Sequence, residues 1–372
     1  MAMPEDPRTP GKLLIGSRGS ALARWQSEHT AALLRERHPG LVVDTIIIVT
    51  TGDRILDAPL SRIGGKGLFT KEIEEALLDG RVDLAVHSLK DLPTTLPAGL
   101  ALGAVLSRHE PSDALISARG ETFTDLPRGA RIGTSSLRRR AQVLHARPDL
   151  VVETIRGNVP TRLKRAAAGD LDAVILARAG VERLGLGAHI TEILSADLLL
   201  PAPGQGAIGI EIRSGDARVQ ALLAGLQDPA TRCAVDAERA FLRALGGGCQ
   251  VPVGALARVD GSDIRLDGMV ADPDGMRHLR GWRIGRADDA ESVGTQLAQE
   301  LIGLGADEIL AEVERAAQNG GPAEIHADRQ RTAVRRGGAE IPAPGERMAI
   351  APELMDRPED GPEAGPHSGG RA

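Results

Sequence analysis

The stretch Leu13-Leu-Ile-Gly-Ser-Arg-Gly-Ser20 decides the fold of this 372-residue chain. Leu13–Gly16 predicts a short buried strand, and the polar turn after it ends at Ser20, a good helix N-cap. The helical pattern of Ala21–Arg37 follows at once, and the β-branched run Val42–Thr50 predicts a second strand. A strand, a turn, a helix and another strand form the repeating unit of an α/β sheet.

The same alternation of strands and helices continues to about residue 212. Further strands are predicted at Leu84–His87, Leu100–Leu106, Ala130–Gly133, Leu150–Thr154, Asp172–Ala177 and Ala207–Ile212. Further helices are predicted at Thr70–Leu78, Ser136–His145 and Val159–Ala168. Alternation at this spacing indicates a parallel α/β sheet.

Two irregular segments, Ser107-Arg-His-Glu-Pro-Ser112 and Pro201-Ala-Pro-Gly-Gln-Gly206, interrupt the alternation. We expect the chain to leave a first α/β domain through one segment, build a second domain, and return through the other. This layout places a cleft between the two domains.

The C-terminal part has a different pattern. A helix over Asp228–Leu245 is followed by strands around the turn signals Asp260-Gly261 and Asp272-Pro-Asp-Gly275, and then by a helix over Glu291–Leu304. These features predict a small α+β domain with an antiparallel sheet. Beyond about residue 318 the pattern is lost among Pro, Gly and scattered charges, so we expect a disordered tail.

The composition argues against several classes of protein. With no Tyr, three Phe and two Trp, the chain lacks platforms for stacking bases, and a net charge of −6 also argues against a nucleic-acid partner. Cys233 and Cys249 are too few for a disulfide framework, and the nine histidines show no metal-ligand spacing. The N-terminus lacks a signal-peptide core and no run of 18 apolar residues occurs, so we expect a cytoplasmic protein without a membrane partner.

The charge distribution points to an anion. Residues 131–165 carry eight Arg and one Lys against two acidic residues, although the whole chain is negative. Several of these cations follow turns at predicted strand ends, in Gly133-Thr-Ser-Ser-Leu-Arg-Arg-Arg140 and Ile155-Arg-Gly-Asn-Val-Pro-Thr-Arg162. Helix N-termini attract anions, and guanidinium groups match carboxylate or phosphate. An anion site is favoured over the alternative, a solvated basic face.

Two short motifs leave alternatives open. In His87-Ser-Leu-Lys-Asp-Leu-Pro93, Lys90 and Asp91 fit either a surface ion pair or a general acid/base beside an anion contact. In Leu245-Gly-Gly-Gly-Cys-Gln-Val-Pro-Val-Gly254, Cys249 follows three glycines. Taken alone, this loop is more typical of a helix cap with a buried thiol than of a covalent attachment point or nucleophile.

Two glycine motifs do not support nucleotide binding. Gly204, Gly206 and Gly209 fit a dinucleotide-binding pattern by letter, but a predicted strand follows them and not a helix. Gly65-Lys66 is followed by Gly67 and lacks the glycine spacing of a P-loop.

Eight stretches in chain order resemble the porphobilinogen deaminase family. They are Arg18-Gly-Ser-Ala-Leu-Ala-Arg-Trp-Gln26, Gly64-Gly-Lys-Gly-Leu-Phe-Thr-Lys-Glu72, His87-Ser-Leu-Lys-Asp-Leu-Pro93, Gly133-Thr-Ser-Ser-Leu-Arg-Arg139, Arg156-Gly-Asn-Val-Pro-Thr-Arg162, Ala179-Gly-Val-Glu-Arg183, Pro203-Gly-Gln-Gly-Ala-Ile-Gly-Ile-Glu211 and Glu238-Arg-Ala-Phe-Leu-Arg-Ala-Leu-Gly-Gly-Gly-Cys-Gln-Val-Pro252. The resemblance covers residues 12 to about 316.

This resemblance implies a transferase of tetrapyrrole biosynthesis. Members of the family join four porphobilinogen molecules head to tail into hydroxymethylbilane and release ammonia at each addition. The chain grows on a dipyrromethane cofactor held by a thioether, which maps here to Cys249. Each ring adds two carboxylates, which is the chemical reason for many fixed arginines. The implied architecture is two periplasmic-binding-protein-like α/β domains around a cleft, plus the small α+β domain.

The resemblance also implies roles for individual residues. Asp91 maps to the catalytic acid/base, which stabilises the cation that forms when ammonia leaves. The implied cofactor-binding residues are Lys90, Thr134, Ser135, Ser136, Arg138 and Arg139. The implied substrate-binding residues are Arg18, Ser20, Lys66, Phe69, Arg156, Arg162 and Arg183. Lys66 and Phe69 lie in or beside a loop of about residues 52–69 that covers the cleft in the family.

The implied domains are 1–106 with 205–225, then 107–204, then 226–316, with a tail at 317–372. The family is usually monomeric, so a monomer is expected. The competing hypothesis is a non-catalytic anion-binding protein on a two-lobed fold, which leaves Cys249 and Asp91 unexplained.

We predict that the purified protein from a porphobilinogen-producing host carries two linked pyrrole units on Cys249. Intact mass spectrometry measures this adduct, and an acidic aldehyde reagent is expected to give a coloured product. An unmodified mass would count against the enzyme hypothesis.

Overall fold

Three sheets organise residues 11–54, 68–247 and 251–318, which are the residues described by the computed structural model. The strands in these ranges are, in chain order, β1 (Lys12–Ser17), β2 (Val42–Ile47), β3 (Leu84–Ser88), β4 (Leu100–Val105), β5 (Asp113–Ser117), β6 (Arg131–Gly133), β7 (Val151–Glu153), β8 (Ala173–Ala177), β9 (Glu192–Leu194), β10 (Ile208–Arg213), β11 (Val253–Asp260), β12 (Asp263–Ala271) and β13 (His278–Arg286).

The helices connect and cover these strands. They are α1 (Ala21–Arg37), α2 (Thr51–Arg54), α3 (Lys71–Leu78), α4 (Leu137–Ala146), α5 (Val159–Ala167), α6 (Arg178–Arg183), α7 (Ala217–Leu223), α8 (Pro229–Ala244), α9 (Ala290–Gly303) and α10 (Ala306–Gln318). Helix α1 begins where the sequence predicts, because Ser20 Oγ accepts a hydrogen bond from the backbone N–H of Ala23.

The first two sheets are mixed, so the expectation of parallel sheets is wrong in part. Their strand orders are β2-β1-β3-β10-β4 and β7-β6-β8-β5-β9. In the first sheet β10 runs antiparallel to both neighbours, and in the second β5 does so. Each of these strands comes directly after one of the two irregular segments, which bring the chain into the sheet from the opposite direction.

Each mixed sheet has its own apolar core, built almost entirely of Leu, Ile, Val and Ala, with Phe123 in the second. In the first sheet the core includes Leu13, Ile15, Leu84 and Ile210, all without measurable exposure. The second sheet buries a matching cluster around Leu115, Ile132 and Ile175 beneath α4. Aliphatic residues therefore fill most of both cores, as the scarcity of aromatic residues requires.

The third sheet is the antiparallel ladder β11-β12-β13, covered on one face by α8 and α9. The two helices approach closely because Gly294 has no side chain; a Cβ there would lie 2.2 Å from the carbonyl oxygen of Ala237. Gly268 of β12 leaves room for Phe241, whose ring would lie 2.7 Å from a Cβ at that position. Two α/β units and an antiparallel α+β unit confirm the predicted fold class.

Most predicted elements are found within a few residues of their expected bounds. The sequence patterns did not reveal β5, β9, α2, α6, α7 and α10, which are short or lie in stretches without clear periodicity. Helix α10 continues to Gln318, two residues into the expected tail. The rest of that tail, 319–372, lies outside the described residues.

A buried carboxylate joins the two irregular segments to the third sheet. Glu238 of α8 is fully buried, and its oxygens lie 2.6 and 3.1 Å from the guanidinium of Arg108 in the first segment. The same oxygens accept hydrogen bonds from the backbone N–H of Gly204 in the second segment, at 2.7 Å, and from that of Ala257 in β11, at 2.8 Å. One charge therefore satisfies donors from three parts of the chain.

We predict that Glu238→Gln lowers the free energy of unfolding by about 3 kcal/mol, because Arg108 then stays buried without its counter-charge. Denaturant titration followed by circular dichroism measures the change. The matched control is Glu291→Gln, which breaks an exposed ion pair with Arg243 and is expected to cost a small fraction of that. Equal losses for the two variants would contradict the assigned role of Glu238.

Candidate active site

Lys90 and Asp91 lie on a single 3₁₀ turn, Leu89–Asp91, directly after β3. Leu89 is buried and its N–H donates to the carbonyl of Ala207, while Asp91 is exposed. The second irregular segment presses on this turn at Gly204 (φ +74°), where a Cβ would lie 3.3 Å from the backbone nitrogen of Lys90. The turn therefore presents Asp91 to solvent from a rigid base.

Burial weakens the binding of a proton by Lys90. Its Nζ lies 3.3 Å from Oε1 of Gln205. The pKa of Lys90 is lowered to about 8; burial is the largest cause, Arg139 and Arg138 add to it, and Asp91 and Asp113 partly offset it. Lys90 is therefore a cation at neutral pH, but it holds its proton less tightly than a lysine in water.

The predicted hydroxyl-rich turn follows β6. Thr134 is buried and its Oγ1 accepts from the N–H of Ser136 at 3.2 Å. Ser135 donates through its hydroxyl to the carbonyl of Ile155, which ties this turn to the one after β7. Ser136 caps α4 by accepting from the N–H of Arg139. In this geometry all three hydroxyls take part in local structure.

Arg138 and Arg139 are buried and share one carboxylate. Their Nη2 atoms lie 2.8 and 2.7 Å from the two oxygens of Asp113, at the start of β5. Burial raises the pKa of Asp113, but the two guanidinium charges outweigh it and hold that pKa well below its ordinary value. The Nε atoms of both arginines are buried and have no hydrogen-bond partner within the described ranges.

A second cluster of charges centres on Arg162, which interacts with Asp91. Nε of Arg162 donates to the carbonyl of Gly157 at 2.9 Å, which fixes the side chain beside the β7–α5 turn. The pKa of Arg162 is lowered to about 10; burial is the largest cause, the charges of Arg139 and Arg156 add to it, and Asp91 partly offsets it. Arg162 is thus close enough to these three residues to interact with them electrostatically.

Arg18 and Phe69 form a separate contact at the end of β1. The guanidinium of Arg18 lies 4.2 Å from the centre of the Phe69 ring and pairs with Asp53, with Nη2 at 2.5 Å from Oδ1. Arg18 also lowers the pKa of Asp53, against the raising effect of burial. Ser20 remains at the cap of α1.

Arg183 of α6 connects the two mixed-sheet units. Its Nη2 donates to the carbonyl of Gly206 at 2.7 Å, and its guanidinium lies 5.6 Å from the centre of the Trp25 ring on α1. Burial lowers the pKa of Arg183 to about 10, so the side chain stays charged at neutral pH. Arg183 therefore occupies the junction between the units.

Sequence reasoning missed several residues that hold these groups in place. Asp113 and Gln205 complete the network of Lys90, because Nε2 of Gln205 donates to Asp113 at 2.8 Å. Arg239 of α8 donates to the carbonyls of Leu92 and Pro93, directly after the Asp91 turn. A glutamine beside glycines and an arginine inside a helix carry no positional signal of their own, so only the tertiary structure reveals these roles.

Two predicted site residues, Lys66 and Cys249, lie outside the described residues, as does most of the expected covering loop. Among residues 11–54, 68–247 and 251–318, no group of three His, Cys, Asp or Glu side chains is placed to hold a metal ion. No helix in these ranges is long and apolar enough to cross a membrane.

The arrangement suits a ligand with several carboxylates. Arg138 and Arg139 place two cations on the single carboxylate of Asp113, Arg162 lies within electrostatic range of Arg139 and Arg156, and two buried Nε–H donors lack acceptors within the described ranges. A polycarboxylate would supply both the charge and the acceptors. A carboxylate on a strand-end turn among arginines defines an α/β enzyme that acts on polyanionic substrates.

Comparisons with known proteins agree with this class. A family model described as "Porphobilinogen deaminase, dipyromethane cofactor binding domain" matches residues 13–221, and one described as "Porphobilinogen deaminase, C-terminal domain" matches residues 232–303. The chain therefore belongs to the porphobilinogen deaminase family, a family of transferases with a dipyrromethane cofactor.

Curated relatives match along nearly their whole length. Porphobilinogen deaminase of Moorella thermoacetica is 52% identical over 309 residues, 83% of this chain and 98% of the relative. The protein of the same name from Bordetella parapertussis is 52% identical over 302 residues, 81% of this chain and 96% of the relative.

Likeness to solved structures is weaker. The periplasmic aliphatic sulphonate binding protein SsuA from Escherichia coli is 17% identical with a TM-score of 0.35, covering 63% of this chain and 70% of that one. An ancestral arginine-binding protein is 15% identical with a TM-score of 0.32, covering 58% and 90%. The fold is defined by the strand orders of the two mixed sheets and the antiparallel third sheet.

We predict that the pKa of Lys90 is about 8, where a lysine in water has about 10.4. The chain has five lysines, so reductive ¹³C-methylation gives few NMR signals, and Lys90→Arg identifies the relevant one. The folded chain binds this proton less tightly than the unfolded chain does. Protonated Lys90 therefore lowers the free energy of unfolding below about pH 8, and this destabilisation disappears as the pH rises from about 8 toward 10.4. A midpoint near 10.4 would contradict the prediction.

Proposed function

We propose that this chain joins four porphobilinogen molecules head to tail into hydroxymethylbilane and releases ammonia at each addition. The observation that carries the proposal is Asp91, an exposed carboxylate on a strand-end turn within electrostatic reach of Arg162, which in turn interacts with Arg139 and Arg156. Porphobilinogen has an aminomethyl group that leaves as ammonia and two carboxylates that need cations. A non-catalytic anion-binding protein would need the arginines but not Asp91.

We further propose the domain boundaries. Domain 1 is 1–106 with 205–225, domain 2 is 107–204 and domain 3 is 226–316. The return of β10 to the sheet of β1, β3 and β4 supports the split first domain. The glutamate junction at Glu238 supports a boundary where both irregular segments meet α8.

The arginine-rich turns of domain 2 would hold the dipyrromethane group. Lys90, Arg138 and Arg139, with the hydroxyls of Thr134, Ser135 and Ser136, are the proposed contacts, and Cys249 is the proposed attachment point. The unpartnered Nε–H groups of Arg138 and Arg139 fit carboxylate oxygens. When bound, the group supplies the pyrrole carbon to which the first substrate molecule is added.

Asp91 would act on the substrate. Its carboxylate is placed to accept a hydrogen bond from a pyrrole N–H and to stabilise the positive charge that develops as ammonia leaves. The neighbouring arginines would bind the substrate carboxylates and keep the reacting carbon beside Asp91. Because guanidinium groups keep their charge across the physiological pH range, this positioning does not depend on pH.

The remaining proposed substrate contacts are Arg18, Ser20, Lys66, Phe69, Arg156, Arg162 and Arg183. Asp53 now neutralises Arg18, so a substrate carboxylate would have to compete with it. We also propose that the protein works as a monomer in the cytoplasm, without a nucleic-acid or membrane partner. The net charge of −6 and the few aromatic residues support the exclusion of nucleic acid.

We predict that Asp91→Asn lowers kcat by at least about 10²–10³-fold, because the amide cannot neutralise a developing cation. Bilane formation in a stopped assay measures kcat, and circular dichroism checks the fold. The matched control is Asp44→Asn, on the exposed strand β2, which is expected to keep full activity. Near-normal turnover by Asp91→Asn would remove this residue from the mechanism.

A further inference from the structure

Three arginines converge on the face of the third sheet that is turned away from α8 and α9 and packs against Leu200 and Ala141. Arg258 on β11 pairs in register with Arg265 on β12, and Arg280 on β13 pairs with Met269, two positions beyond Asp267 on the same face. Like charges directly opposite each other on neighbouring strands destabilise a sheet. This face therefore carries a charge arrangement that folding alone does not favour.

The carboxylates nearby do not balance these charges. Asp267 is buried and its oxygens lie 3.1 and 3.2 Å from Nη2 and Nε of Arg265. Arg258, with 58% of its side chain exposed, reaches the same carboxylate only at 3.5 Å. Asp197 lies 4.0 Å from Arg280. Three cations thus share two carboxylates.

The arginines line a cavity of about 250 Å³ with Asp267 and the segment 196–200. Arg280 closes one side, because its Nη atoms donate to the carbonyls of Asp197 and Ala196, both at 2.7 Å. Burial lowers the pKa of Arg280, Asp267 partly offsets this, and Arg258 and Arg265 lower it further. Arg265 is held in place by Trp282, whose ring centre lies 4.7 Å from the guanidinium.

We propose that this cavity binds a phosphate group, either free phosphate or the phosphate of a small phosphomonoester. A planar carboxylate presents one edge, which one or two guanidinium groups can cover, whereas a tetrahedral phosphate offers oxygens to cations from three strands. Bound phosphate would remove the repulsion between Arg258 and Arg265.

Phosphate bound in this cavity would stabilise the junction between the third sheet and the second irregular segment. The segment 196–200 leads directly into Pro201, whose carbonyl accepts from the N–H of Ala255 on β11 at 2.9 Å. The carbonyl of Leu200 also accepts from Arg138, at 2.6 Å. Phosphate in the cavity therefore stabilises the position of Leu200, whose carbonyl holds Arg138 beside Asp113, without contacting Asp91.

The two tryptophans allow a test that separates this cavity from the arginines of the active site. Trp282 stacks with Arg265 in the cavity, whereas Trp25 lies beneath Arg183. The purified holoenzyme is labelled with 5-fluorotryptophan, which gives two ¹⁹F signals. Potassium phosphate, glycerol 3-phosphate and acetate are titrated at constant ionic strength, and Trp282→Phe assigns the signals.

We expect phosphate to shift the Trp282 signal saturably and acetate to shift it much less. Arg258→Gln is expected to weaken this phosphate binding about tenfold. The matched control, Arg286→Gln, changes an exposed arginine of β13 outside the cavity and is expected to bind normally. Tighter binding of glycerol 3-phosphate than of free phosphate identifies a phosphomonoester as the ligand, and the reverse identifies free phosphate.

Three results would overturn the proposal. In the first, phosphate shifts only the Trp25 signal. In the second, the Trp282 signal responds to phosphate no more than to acetate. In the third, Arg258→Gln, shown by circular dichroism to be folded, binds as tightly as Arg286→Gln.

Discussion

The architecture depends on the ion pair between Glu238 and Arg108. A fully buried carboxylate is costly unless it is paired and fully hydrogen-bonded, and here its donors come from the first irregular segment, the second irregular segment and β11. The same helix carries Arg239, which donates hydrogen bonds to the carbonyls of Leu92 and Pro93, directly after the Asp91 turn. Helix α8 thus holds the segment after the Asp91 turn as well as the two irregular segments.

The second irregular segment connects Glu238 to Lys90 and Asp113. Gln205 contacts both Lys90 and Asp113, and Asp113 in turn neutralises Arg138 and Arg139. Residues from both mixed sheets therefore meet through one amide side chain. Polar networks of this kind stabilise one arrangement when every member is satisfied, and within the described part of the chain the Nε atoms of Arg138 and Arg139 have no acceptor.

Sequence patterns predicted much of the fold because apolar periodicity and caps are local. Ser20 and the helix after it are an example, since the cap bond joins residues three positions apart. The reversed strands β5 and β10 were beyond such reasoning, because strand direction depends on where the irregular segments lie. Sequence patterns placed the arginine-rich turns and Asp91 at strand ends, where the structure has them, but the burial of Arg138 against Asp113 depends on a contact 25 residues away. The roles of Asp113, Gln205 and Arg239 are tertiary in the same sense.

The position of β10 has a consequence for how the protein is made. In the first sheet β10 lies between β3 and β4, although the whole second sheet separates it from them along the chain. During synthesis β4 consequently has no neighbour in its sheet until residues 208–213 have left the ribosome. The second α/β unit, whose strands are contiguous in the chain, completes its sheet earlier. The N-terminal unit is therefore the later of the two to close, and its strand edges at β3 and β4 stay unpaired in the interval.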